Sequence, residues 1–202
     1  MRDFERAAAE LGAIREQLAR SERFHGLGPN AFAATGVFAG LAAVGQARWL
    51  AEPAQHVGAF LALWVAVAAV SAGVIGFEMV TRSRRLHSPL ADETLAAAVA
   101  LFLPAAAGGA LTTLVVMRFA PQVEWLLPSL WQLAYGLGIF ASCRFLPRAL
   151  AFVGAWYVAC GLASLAFAQG PAAFSPWSMG LAFGLGQLMV AAVLLTGEPC
   201  DE

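Results

Sequence analysis

Lysine is absent from this chain, and charge of either sign is scarce: twelve arginines and 13 acids amount to 12% of the residues. That is about half the roughly 25% usual in soluble domains, which argues against a fold built for water. The exclusive use of arginine reads as the codon usage of a GC-rich genome and carries no chemistry. Cysteine is as sparse, and Cys143, Cys160 and Cys200 form neither a CxxC pair nor an even-numbered set, so a disulfide scaffold is not expected. There is no HExxH to hold zinc and no GxxxxGK[ST] to cradle phosphate, and Gly180, Gly184 and Gly186 lie in an apolar run rather than at a strand-to-helix turn. An intramembrane serine protease needs a histidine at membrane depth to activate its nucleophile. His25, His56 and His87 all fall outside the apolar runs. His25 and His87 share the expected cytoplasmic side but lack nearby Cys or carboxylate ligands, so they read first as interfacial groups bonding headgroups and water, and alternatively as a two-histidine metal or haem site. No catalytic residue, cofactor or metal is therefore expected, and the chain is not read as an enzyme.

What the chain has instead is apolar length. It is 60% hydrophobic with a mean hydropathy of +0.70. Runs near 20 residues recur with few charges, enough to cross roughly 30 Å of hydrocarbon as helices. Candidate crossings cover 31–50, 57–80, 95–117, 125–143, 149–168 and 177–196. The expected fold is an all-α polytopic membrane bundle of six transmembrane helices, with residues 1–29 as a cytoplasmic amphipathic helix and linker, 30–197 as the membrane domain and 198–202 as a tail. About thirty residues with five acids precede the first apolar run, so that run reads as a retained helix and not as a cleaved signal.

Arginine placement predicts the orientation. The hydrophilic break at 81–93 carries Arg82, Arg84 and Arg85. With the N-terminus in the cytoplasm, ten arginines fall inside and only Arg48 and Arg118 outside, a strong positive-inside bias. Trp49, Trp125 and Trp177 then mark the outer interface, where amphipathic rings favour the headgroup level. The expectation is a multi-pass protein of the inner (plasma) membrane with both termini cytoplasmic. Each juxtamembrane arginine contributes about 1 kcal/mol of attraction to anionic headgroups, so membrane lipids are expected partners of this break. Nucleic acid is not, because these arginines lie against a membrane and form no extended basic face.

Residues 2–24 are patterned as a helix, with Phe4, Leu11, Ile14 and Leu18 on one face. Arg6 with Glu10 and Glu16 with Arg20 are opposite charges one turn apart. Five arginines meet five acids over this segment, whereas a helix lying on anionic lipid has a basic polar face. The balance points to association through residues 1–24, with a second copy, a membrane partner or the chain's own 81–93 break.

Polar groups at membrane depth are costly and so point to structure or function. Here they are Gln46, Glu78, Gln132, Ser142, Ser164 and Gln187. Glu78 is the only ionisable one well inside an apolar run. It reads as the partner of Arg82, four residues on, and alternatively as a proton or cation site in a small transporter or channel lined by the three glutamines. The glutamines read as interhelical hydrogen-bond partners. Gly36 with Gly40 and Gly180 with Gly184 are GxxxG spacings expected to pack helices within the bundle, and Pro104 with Gly108–Gly109 marks the expected bend or close approach of the third helix.

Ile14-Arg15, Leu18, Arg20-Ser21 and Arg23-Phe24, followed by a Gly-interrupted first apolar run, an Arg-Arg pair after the second, and a fourth entered through Leu-Pro and Trp131 to Tyr135-Gly136-Leu137, resemble an uncharacterised family of bacterial inner-membrane proteins. The likeness spans most of the chain, although members carry a Ser/Gly-rich stretch where this chain has His25 to Asn30. The resemblance implies six helices and supplies no site.

Overall fold

Helices form here because long apolar runs leave the backbone no other way to satisfy its N–H and C=O groups away from water. The computed structural model describes residues 28–86 and 89–196, with side chains omitted over 83–94. Six α-helices occur among them: α1 (Pro29–Trp49), α2 (Val57–Leu86), α3 (Pro89–Phe119), α4 (Leu127–Ser142), α5 (Leu150–Phe167) and α6 (Pro176–Thr196). Short 3₁₀ turns, Pro121–Leu126 and Gly170–Phe174, close the α3–α4 and α5–α6 connections and touch each other. Proline opens α1, α4 and both turns, where its missing N–H would have had no partner. Four helices are long and apolar enough to cross a membrane: Val57–Arg82, Leu95–Phe119, Leu150–Phe167 and Pro176–Thr196.

The helices pack in the order α2, α1, α6, α5, α4, α3, with α1 against α6 and α4 against α5 as the two most extensive contacts. Both seams are made by glycine. A Cβ built on Gly36 would lie 2.9 Å from the Gly184 carbonyl oxygen, and one on Gly180 would collide with the Cβ of Ala43. The Gly180–Gly184 spacing of α6 therefore faces Gly36 and Ala43 of α1 across an antiparallel pair, while Gly40, expected to pack with Gly36, leaves open space where its Cβ would be. In the second seam a Cβ on Gly136 would lie 2.9 Å from the Gly154 carbonyl oxygen, and one on Gly161 would lie 3.1 Å from the Ser129 carbonyl oxygen. Lipid is as apolar as leucine, so hydrophobicity does not hold such helices together; close backbone approach with dense van der Waals contact does.

One buried cluster joins Phe60, Trp64, Leu127, Phe174 and Met179 at the end where α1 finishes. Another joins Ile139, Leu150, Val153, Tyr157 and Leu194 towards the opposite end. Large apolar side chains such as Val37, Leu41, Leu103, Leu114, Phe152 and Leu181 face outward. The polar residues Gln46, Gln132 and Gln187 are buried. This distribution is that of a bundle whose solvent is lipid.

Two expectations need correction. The hydrophilic break at 81–93, expected as a loop, is helical on both sides of residues 87–88: α2 runs through Arg82, Arg84 and Arg85 to Leu86, and α3 starts at Pro89. Hydropathy marks where a helix leaves hydrocarbon, not where it ends. The close approach expected at Gly108–Gly109 is also missing, since a Cβ on Gly108 would meet nothing within 4 Å and one on Gly109 would make only ordinary contact with Ala134 at 3.7 Å. α3 instead presses Phe102 and Ala105 onto Gly138. Trp125 is partly buried against the apolar cluster, whereas Trp49 and Trp177 are exposed. The N-terminal segment 1–24, His25, His87 and Cys200 lie outside the described residues.

Candidate functional site

Gln46 sits one turn before the end of α1 and is 2% exposed. Both ends of its amide are used. Nε2 donates to the Phe174 carbonyl oxygen at 2.7 Å, and Oε1 accepts from Trp64 Nε1 at 2.8 Å. One side chain thus ties α1 to α2 and to the Gly170–Phe174 turn before α6. Trp64, buried on α2, satisfies its only polar atom in doing so.

Gln132 is fully buried on α4. Its Nε2 donates to the Ser178 carbonyl oxygen at 3.1 Å, close to Met179 Sδ at 3.8 Å, which fastens α4 to the start of α6. Its Oε1 has no partner among the described residues. Gln187 lies near the middle of α6, where Nε2 donates to the Tyr135 hydroxyl of α4 at 2.7 Å. Gln187 Oε1 and the Tyr157 hydroxyl are likewise buried and without partners. Elsewhere the Trp131 indole donates to Thr113 Oγ1 at 2.7 Å, and Ser142 Oγ donates to the Ala98 carbonyl oxygen at 2.9 Å, joining α4 to α3.

Glu78 lies at the other end of the bundle, so the four residues considered for a polar path do not meet. α1 has no side chain of its own to cap its N-terminus, because its N-cap residue is Gly28. Glu78 of α2 supplies the cap: Oε2 accepts the Ala31 backbone N–H at 3.0 Å. A carboxylate there meets an orphan donor and the positive end of the helix dipole. Gly28 leaves the room, since a Cβ at that position would overlap the Glu78 carboxyl group. Arg82 follows one turn later on α2, and Arg84 and Arg85 belong to the same helix.

Removal of this cap has a definite expectation. Glu78→Ala should cost about 1–2 kcal/mol, the range for losing an N-cap with its dipole interaction. Gly28→Ala should cost a similar amount by expelling the carboxylate, and the double variant should lose little more than either. The measurement is unfolding in micelles of increasing dodecyl sulfate fraction; additive losses would show that Gly28 and Glu78 act separately.

The expectation that the glutamines bond across helices is met for all three. Their partners were not foreseen. Tyr135, Tyr157 and Trp64 are polar groups at membrane depth as much as the glutamines are, and counting phenol and indole among them would have found these residues. The Gly136–Gly154 seam follows no GxxxG spacing, and its one signal is the seven-residue interval between Gly154 and Gly161, two turns on one face of α5. Comparison with protein-family models, curated proteins and solved structures gave no match.

Proposed function

We propose that this chain is a non-enzymatic structural or regulatory component of the bacterial inner membrane, crossing it six times with both termini in the cytoplasm, and that it associates with itself or a membrane partner through residues 1–24. The observation that carries this reading is the use of the interior polar groups. Gln46, Gln132 and Gln187 each bond a different neighbouring element, and Glu78 caps α1, so these groups are spent on holding helices together.

Six crossings are supported by position. α1 lies between α2 and α6, and α4 between α3 and α5, so a membrane that holds the four apolar helices also encloses these two. Each falls short of the apolar four for a physical reason. α1 carries Pro29, Asn30, Thr35, Gln46 and Arg48. α4 has only 16 residues, about 24 Å of rise, half of them buried against protein where apolar side chains are not demanded. The exposed rings of Trp49, Phe119, Phe167 and Trp177 gather at one end. Arg82, Arg84, Arg85, Arg144 and Arg148 gather at the other, which favours that end as cytoplasmic.

α1 starts against Glu78, one turn before Arg82 on α2, and residues 1–24 precede that start in the chain. In this reading the five acids of residues 1–24 pair with the arginines of α2, which are also the groups that would bind lipid headgroups. Native mass spectrometry from mild detergent tests the reading. Full-length protein should appear as an oligomer or with a protein partner, and a variant lacking 1–24 should appear smaller or alone. A truncated protein with unchanged mass and unchanged co-purifying proteins would overturn it.

A further inference from the structure

We propose that Tyr157 on α5 and Gln187 on α6, assisted by Tyr135 on α4, hold a single water molecule at the middle of the membrane. Gln187 lies about 16 Å along α6 from Pro176, roughly half the length of that helix. Three helices bring polar atoms to this depth. The rings of Tyr135 and Tyr157 are tilted at 55° with centroids 4.7 Å apart, and the Tyr157 hydroxyl lies over Gly186, next to Gln187, where a Cβ would be 2.5 Å from it.

Two of these atoms have nothing to bond. Tyr157 is fully buried and Gln187 nearly so, yet the Tyr157 hydroxyl and Gln187 Oε1 have no partner among the described residues. In hydrocarbon neither can turn to bulk water, and an unpaired polar group there is expensive.

The missing partner must offer a donor to the amide oxygen and either a donor or an acceptor to the phenol. It must also be small, because Phe183 packs on both tyrosine rings at 5.1–5.4 Å and Phe102 on Tyr135 at 5.1 Å. Water meets both demands: buried waters make about three hydrogen bonds to polar groups that would otherwise go unpaired. It donates to Gln187 Oε1, accepts the Tyr157 proton, and can accept the proton that Tyr135 has left after receiving its bond from Gln187. α5 and α6 are then joined at mid-depth through this molecule, as α4 and α6 are joined directly.

The chain has only two tyrosines, so ring-labelled tyrosine gives two signals, assigned with Tyr135→Phe. In full-length protein in phosphatidylethanolamine–phosphatidylglycerol vesicles, water-edited solid-state NMR should transfer magnetisation from water to the Tyr157 ring. Tyr157→Phe should lower the unfolding midpoint by about 2–4 °C, a shift suited to a chain of this size. An orphan hydroxyl would behave oppositely: no transfer to Tyr157, and a midpoint that rises when the oxygen is removed. Absence of transfer in the unmodified protein overturns the proposal whatever the variant does, and transfer with a raised midpoint overturns the claim that the water joins the helices.

Discussion

Gly136→Ala should destabilise the bundle by about 1–3 kcal/mol, and Gly136→Val by more, whereas Gly40→Ala should leave stability unchanged or raise it by up to about 1 kcal/mol. All three add carbon to a glycine in an apolar helix, so composition does not separate them. Surroundings do. The Cβ of residue 136 would stand 2.9 Å from the Gly154 carbonyl oxygen and 3.1 Å from the Val158 backbone nitrogen, and backbone cannot rotate away as a side chain can. At residue 40 a Cβ would meet nothing within 4 Å. There the gain is the ordinary helix preference of alanine. Unfolding in mixed micelles, measured in parallel for the three variants, checks the ordering. Equal effects at 136 and 40 would mean that the α4–α5 seam is not closed to the backbone in the membrane.

The same contrast shows what was legible in the residues and what was not. Run length alone delimits the apolar segments, because crossing hydrocarbon sets a minimum number of residues, and each of the expected runs falls on a helix. The ends were less legible. Nothing stops a helix from continuing into water through Arg82 to Leu86, and no apolar residue is needed there to keep it going. Partners were less legible still. A soluble helix shows its buried side as a stripe, but α6 is apolar all round and the few polar residues of α1 mark no stripe, so Gly36 and Gly184 could be recognised as small without any sign that they meet. Gln46 reaches a carbonyl 128 residues away, through a turn that is irregular in sequence. Glu78 was read beside Arg82 because four residues on a helix share a face. Its bond to Ala31 depends on a tertiary contact that only the packing of α1 on α2 creates.

Gln46→Leu should be the most damaging single change among the interior polar residues, at about 2–4 kcal/mol, because it leaves two buried groups without partners at once. The Trp64 indole N–H and the Phe174 carbonyl oxygen now share one amide, at 2.8 and 2.7 Å. Leucine fills a similar volume, so the loss reads the polar groups rather than a cavity. Gln132→Leu should cost less even though Gln132 is as deeply buried. It gives up one bond to Ser178, but it also removes an amide oxygen that has no partner among the described residues, and the second effect offsets part of the first. Adding Trp64→Phe to Gln46→Leu takes away the orphaned donor and leaves only the Phe174 carbonyl oxygen unpaired, so the double variant should lose less than the two single losses combined. The coupling should be about 1 kcal/mol, within the range found for hydrogen bonds between membrane helices. Dodecyl sulfate unfolding of the four proteins in the cycle measures it. Strict additivity would mean that Gln46 and Trp64 do not bond each other once lipid surrounds the bundle.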